Sequence, residues 1–307
     1  MKKNNKNKLA FSLIELSVVI LVIGILVIGV SKGSVLVKAA QIKTAQSLTR
    51  GSPILSIEGL TLWLESSGTD ESSIVNSSNS TQLNDGDRII SWHEFNPSAS
   101  DKKILTSPAV INYPTYSEQG MNGLPSIHFQ GSPTGDQEIL QIGNIEATKL
   151  FKLDEATIFI VMNMDASSHF ATIFNWGGDS NRVLAHLVGP NRVIWDFGDA
   201  TNGRADYTAP NNNFFIDQPH IFSFTRKING VLNVNLDGTT IPGGLTNATA
   251  TPSGSNAFIL GAPKNIGNNY NLIGDISEVI IYNEGLSDND RTIVEKYLSN
   301  KWSIKLD

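Results

Sequence analysis

Cysteine is absent from all 307 residues. That excludes disulfide bonds, thiolate metal sites and cysteine nucleophiles, so stability must come from a buried core, which a chain of this length can supply. Histidine is scarce as well. His93, His128, His169, His186 and His220 are scattered, without the close spacing of a zinc site. Basic residues are outnumbered, with 23 Lys and Arg against 29 Asp and Glu, and four of the lysines fall within the first eight positions. Past those four, 19 basic side chains face 29 acids, a net charge of −10 that argues against a nucleic-acid partner. A single apolar run, residues 11–30, is long enough to span a bilayer, so no second span is expected.

That run reads FSLIELSVVILVIGILVIGV. At about 1.5 Å per residue its roughly 20 residues cross a hydrocarbon core of about 30 Å. Lys2, Lys3, Lys6 and Lys8 precede it with no acid among them, and positive-inside bias keeps them cytoplasmic and sends the C-terminus outward. An ordinary secretory signal has a shorter apolar region of about 7–15 residues followed by a small-residue cleavage site, and no clear site follows Val30. One charge, Glu15, interrupts the run. At a bilayer centre an acid costs about 2.5–3.5 kcal/mol, which makes an intramembrane carboxylate a functional candidate by default.

Lys8-Leu9-Ala10 followed by Phe11-Ser12-Leu13-Ile14-Glu15-Leu16 resembles the leader of type IV prepilins and type II secretion pseudopilins. The resemblance implies cleavage by a prepilin peptidase between Ala10 and Phe11, methylation of Phe11, and Glu15 as the fifth residue of the mature chain. Ala10 stands where the family usually has Gly. In the family's assembly scheme the Glu side chain pairs with the terminal ammonium of a neighbouring subunit. Opposite charges in a low dielectric attract strongly and offset part of each other's desolvation, so Glu15 is the expected assembly residue. The implied partners are other pilin or pseudopilin subunits, the peptidase that also methylates, and the inner membrane.

After Val30 the pattern turns amphipathic, with Val37, Ala40, Ala45 and Leu48 separated by Lys38, Lys43 and Arg50, which extends one helix out of the membrane. Gly51-Ser52-Pro53 ends it. Gly24 and Gly29 within it suit either close packing in a filament or an ordinary transmembrane helix. The expected organisation is a leader over 1–10, a transmembrane and assembly helix over 11–50, a linker over 51–58 and one soluble domain over 59–307.

The soluble region reads as strands and turns. Residues 157–162, 193–197, 220–225 and 231–236 are short β-branched or aromatic runs, and Asn229-Gly230 and Asp237-Gly238 are hairpin turn pairs. Residues 66–82, rich in Ser and Asn, read as a loop. Ser287 can cap a closing helix whose apolar positions are Ile293, Val294, Tyr297, Leu298 and Trp302. The segments GLTLWLE from Gly59, SWHE from Ser91, NGLPSIHF from Asn122, GDISEVIIY from Gly274 and YLSNKW from Tyr297 are similar to landmarks of laminin-G-like or concanavalin A-like jelly-roll domains. The expected fold class is therefore mainly β: an antiparallel jelly-roll sandwich with a short C-terminal helix, preceded by a long transmembrane α-helix.

Some jelly rolls of this type are glucanases with a Glu-x-Asp-x-x-Glu strand. Here Asp275 and Glu278 keep only its last part, because Ile273 stands where the first Glu would be, so no enzyme is expected. No cofactor is expected either. Calcium is a possible exception, since Asp179, Asp196, Asp199 and Asp237 offer hard oxygens. Trp176, Trp195 and Asp179 are the candidate ligand-binding residues, the indoles as platforms for a sugar ring, with Trp92 a further indole of the same type. Two functions fit: a minor pilin or pseudopilin that displays the jelly roll outside the inner membrane, in a pilus or at the cell surface, or a membrane-tethered carbohydrate-binding or adhesin module.

Overall fold

The computed structural model describes residues 13–68, 74–108, 113–131, 137–165, 170–178, 181–189, 191–208, 215–245, 247–252, 256–263 and 270–307, with the backbone alone for 13–15, 27–32 and 145–146. The cleavage pair Ala10–Phe11 and Asp179 lie outside these residues, as does the side chain of Glu15. Two compact units are present, the first ending at Lys43 and the second comprising Thr44–Asp307.

The first unit is helical. Helix α1 (Leu13–Arg50) runs unbroken from the apolar segment into the amphipathic one and ends at Arg50, where the predicted Gly-Ser-Pro stop begins. Gly51 donates to the Ser47 carbonyl and Ser52 to that of Thr49, closing orphan acceptors of the last turn. Every residue over 16–26 is exposed within the chain. Among the described residues no helix is long and apolar enough to cross a membrane, and 16–26, the apolar stretch whose side chains are described, is shorter than a span.

The second unit is two antiparallel sheets packed face to face. One runs in the order β15 (Thr239–Thr240), β14 (Leu232–Leu236), β13 (Pro219–Arg226), β8 (Ala156–Met164), β17 (Gly274–Tyr282), β6 (Leu124–Phe129), β5 (Thr115–Met121), and β1 (Leu60–Glu65) shares the free side of β17 with β6. The other runs β12 (Arg204–Thr208), β11 (Arg192–Gly198), β10 (Arg182–Val188), β9 (Phe170–Gly177), β16 (Phe258–Leu260), β7 (Leu140–Ile142), β4 (Ile104–Thr106), β3 (Ile89–His93), β2 (Ile74–Asn76). A single-turn helix, α2 (Asn144–Ala147), follows β7.

Alternation fills the space between the sheets. In VIWDF, Val193, Trp195 and Phe197 point inward and join Phe174, Phe222, Phe224 and Phe258 in one cluster. Phe174 meets Phe224 edge-on at 5.5 Å, and such aromatic pairs add about 0.5–1.5 kcal/mol each beyond their burial. Both predicted hairpin turns form, with Asp237 and Gly238 at φ 46° and 87° and Gly230 at φ 87°. Strand β2 falls inside the stretch read from sequence as a loop. Buried Ile74, paired with Trp92 on β3, gives that polar segment an apolar anchor.

Helix α3 (Asp288–Trp302) packs on the outer side of the first sheet. Ser287 caps it by accepting the Asp290 N–H, as predicted, and Ser303 ends it in the left-handed region. Its buried Val294, Tyr297, Leu298 and Trp302 follow helical spacing. The last turns of α1 belong to this unit too: Ala45 and Thr49 are buried, and Gln46 Nε2 donates to the carbonyls of Ser67 and Gly68 at 3.0 and 2.8 Å.

Candidate functional site

The outer face of the second sheet carries a polar arrangement on β10, β11 and β12. Cross-strand register places Leu184, Asp196 and Arg204 in one row over β10, β11 and β12, and His186, Ile194 and Asp206 in the next. Asp196 points outward because its neighbours Trp195 and Phe197 point in. Its side chain is nevertheless 0% exposed, since two arginines fold over it. Arg182 donates to Oδ2 from Nε and Nη2 at 2.9 and 2.7 Å; Arg204 donates from Nε to Oδ1 at 2.6 Å and from Nη2 to Oδ2 at 2.8 Å.

Two guanidiniums on one carboxylate leave a net positive charge on the cluster. Arg204 Nη1 makes no hydrogen bond among the described residues, and its side chain is 27% exposed, so a donor faces outward from a rigid mount. The next pair, Arg192 and Asp206, is internally neutral: two fork bonds at 2.8 and 2.5 Å hold the Asp206 carboxyl below its ordinary range.

Towards β9 the face becomes mixed. His186 Nδ1 lies 2.9 Å from Thr172 Oγ1, and burial, helped by the Arg182 charge, pushes the imidazole down to about 4, leaving it neutral near pH 7. Tyr270 packs its ring on His186 at 5.4 Å and on Phe170 at 5.1 Å. Asn175 Oδ1, buried and opposite Leu184, has no hydrogen-bond partner among the described residues. Leu184, Ile194 and Ile259 supply an apolar floor beside it. Fixed guanidinium donors, an unused amide acceptor, an aromatic ring and small apolar surfaces are the groups that recognise a polar ligand with both hydroxyls and C–H faces.

The indoles singled out from sequence are elsewhere. Trp176 and Trp195 lie in the core between the sheets, Trp176 against Phe151 at 5.4 Å and Trp195 against Phe224 at 5.4 Å, and neither offers a face to a sugar ring. Both occupy inward positions of their strands, and inter-sheet packing claims their large rings. Trp92 is likewise buried, its Nε1 donating to the Glu65 carbonyl. The expectation of sugar stacking at Trp176 and Trp195 is corrected accordingly.

Among the described residues, the candidate calcium ligands Asp196, Asp199 and Asp237 are not gathered. Asp196 is taken by its arginines, Asp199 accepts the N–H groups of Thr201 and Asn202 in its own turn, and Asp237 accepts from the Ile221 N–H beside the His220 ring. Among the described residues no group of three or more His, Asp or Glu side chains could hold a metal ion. Asp275 and Glu278, the remnant of the glucanase pattern, have separate partners: Asp275 accepts from Ser126 at 2.6 Å, and Glu278 from Trp63 and Trp302. Sequence reading missed Arg182, Arg204, Glu65 and Lys301 as polar centres. For Glu65, after LTLWL, and Arg182, before VLAHLV, the available signal was a charge standing at the end of an apolar run; Arg204 and Lys301 carry no such signal.

No family model matches the sequence, and neither does any curated protein. Among solved structures, the chain is similar to the binding domain of Paraclostridial Mosquitocidal Protein 1, with a TM-score of 0.55 and 12% identity over 80% of this chain and 55% of that one. It is also similar to the binding domain of Botulinum neurotoxin serotype D, with a TM-score of 0.51 and 13% identity over 80% and 52%. A smaller domain, the CBM40 of a Ruminococcus gnavus IT-sialidase bound to α2,3 sialyllactose, scores 0.41 at 16% identity over 55% and 95%. The chain spans about half the length of the two toxin domains. At these identities the likeness to the toxin domains is one of fold: an antiparallel sandwich of jelly-roll type.

Proposed function

We propose that this chain is a carbohydrate-binding module whose ligand lies on the outer face of the second sheet, over β9–β12. The observation that carries the reading is the buried Asp196 holding Arg182 and Arg204 in place with an unused Arg204 donor facing outward. The fold it shares with two toxin binding domains supports a binding role, because a sandwich offers a broad, rigid sheet face on which such groups can be fixed. The ligand is a glycan with an acidic or hydroxyl-rich group able to accept from the outward Arg204 Nη1. Glycan-array binding by the purified chain tests this. The expected result is a defined set of bound glycans, with binding to each reduced at least tenfold by Arg204→Ala while the circular dichroism spectrum is unchanged. A bound set unaffected by that substitution would place the ligand elsewhere.

A second role is proposed for the other end of the chain. The leader motif, the apolar run around Glu15 and the unbroken α1 support insertion in a bacterial inner membrane, cleavage before Phe11 and incorporation among other pilin or pseudopilin subunits. A helix apolar on all sides at 16–26 needs lipid or like helices around it. In this reading the filament subunit displays the sandwich in the periplasm or at the cell surface. Mass spectrometry of the mature N-terminus tests it: a chain beginning at methylated Phe11 is expected, and an intact Met1 terminus in membranes would refute processing.

A further inference from the structure

Lys301, in the last turn of α3, lies between two carboxylates. Its Nζ is 2.9 Å from Glu278 Oε2 on β17 and 3.1 Å from Glu65 Oε2 at the end of β1, and all three side chains are 0% exposed. Aromatic rings wall off the place. The ammonium sits 4.9 Å from the Trp302 ring centre and 5.7 Å from that of Tyr297, while Phe95 packs edge-on against Trp63 at 4.6 Å.

The two carboxylates are held differently. Glu278 Oε1 accepts from Trp63 Nε1 at 2.7 Å and from the Tyr297 hydroxyl at 2.8 Å, and its Oε2 accepts from Trp302 Nε1 at 2.7 Å. These bonds fix its position beside the ammonium. Glu65 Oε2 instead meets a pair of donors from one residue, the backbone N–H of Ser67 at 2.9 Å and the Ser67 hydroxyl. Such a pair on a carboxyl oxygen also stabilises the oxyanion formed when that carboxyl is attacked.

Two carboxylates and one ammonium bury a net negative charge in a dry, aromatic setting, where each ion carries a desolvation cost. Joining one ammonium to one carboxylate as an amide removes two of the three charges. We propose that Lys301 and Glu65 form an intramolecular isopeptide bond, with Glu278 as the proton relay. Glu278 relays one proton from the Lys301 ammonium to the other carboxyl oxygen of Glu65, leaving an amine beside a neutral carboxyl. The amine adds to Glu65 Cδ, forming the N–C bond, and negative charge collects on Oε2, facing the Ser67 donors. Glu278 relays a second proton from the nitrogen to the hydroxyl just formed, the C–O bond breaks, and that oxygen leaves as water while Oε2 becomes the amide carbonyl. One ammonium and one carboxylate thus yield one amide and one water, with no oxidant or co-reactant. Buried contact between the groups supplies the proximity that makes amide formation feasible without a second protein.

The bond would join the first strand of the sandwich to its last helix across 236 positions of sequence, giving a cysteine-free domain a covalent tie. It is independent of what the second sheet binds. The test is intact mass and peptide mapping of the folded, purified full chain. The expected mass is one water below that of the sequence after its N-terminal processing, with a branched peptide linking the segments that contain Glu65 and Lys301. A wild-type chain at full mass, or a water loss located at any other pair, overturns the proposal. Glu278→Gln, nearly isosteric, should fold with an unchanged circular dichroism spectrum and keep the full mass; a cross-linked Glu278→Gln chain removes the relay from the mechanism. Lys301→Met should keep the full mass as well, and a branched peptide from it would overturn the assignment of the nucleophile.

Discussion

The Tyr282 hydroxyl donates to the carbonyl of Ile54 at 3.0 Å, so the closing residue of β17 holds the short 3-10 turn, Ile54–Ser56, that follows the long helix. Burial pushes the phenol far above its usual range, and it stays a donor at any pH the protein would meet. The segment read as a linker is therefore pinned at one point to the middle of the first sheet.

Tyr282→Phe keeps the ring against Phe159 and deletes this one bond. The expected loss is about 1 kcal/mol, the usual worth of a buried hydrogen bond. Urea denaturation of the two proteins measures it, and an unchanged midpoint would show the tie to be dispensable.

Asp196→Asn has a larger expected effect. It leaves Arg182 and Arg204, both mostly buried, without the charge that neutralises them. Removing one partner of a buried ion cluster costs about 3–5 kcal/mol, and the partial exposure of the arginines puts the expectation near the lower figure. Thermal melting of the variant should show the loss. Replacing all three side chains by apolar residues should cost less than removing Asp196 alone.

His186 makes stability depend on pH. Its folded pKa is lowered to about 4 by burial, against 6.5 unfolded, so between those values the unfolded chain binds more protons. Stability contributed by the neutral imidazole is complete above pH 6.5 and is lost as pH falls towards 4, by up to roughly 3 kcal/mol on a shift of this size. His186→Gln should flatten that part of the profile, read from denaturation midpoints at pH 7 and pH 5. A variant with the wild-type slope would assign the dependence to another group.

Much of the sandwich was legible in the sequence, because local chemistry and global fold agree there. The run from Thr157 lies in β8, Val193 in β11, His220 in β13 and Leu232 in β14, and Asp237-Gly238 and Ser287 do what their backbone preferences dictate. The site was less legible. An exposed-strand arginine such as Arg204 looks in sequence like any solvated charge, and only cross-strand register brings it to Asp196. The indoles follow the same rule: the Gly-Gly-Asp after Trp176 suggests a loop and the sequence around Trp195 an open sheet face, whereas strand parity decides which way a ring points. Glu65 and Lys301 meet only because two segments at opposite ends of the domain pack together, a contact that no local pattern encodes.

On the proposed filament reading, Glu15→Ala should separate membrane insertion from assembly. Membrane insertion and folding of Thr44–Asp307 are expected to be unchanged, because the position belongs to the first unit, while incorporation into a filament is expected to fall to background. Immunoblotting of sheared filaments against whole membranes checks this, and normal incorporation would remove Glu15 from assembly.

Strand β17 sits at the middle of its sheet, hydrogen-bonded along one side to β8 and along the other to β6 and β1. Among the described residues it is also the last strand of the sandwich. The earliest described strand, β1, pairs in its sheet with β17, so Leu60 must wait for Tyr282. During synthesis or export the half-built domain cannot close, and its unpaired strands need protection from other chains for the whole of that interval. A domain ordered this way matures only after its C-terminal end is delivered, so a truncation that removes β17 is expected to abolish the sandwich as a whole rather than shorten it.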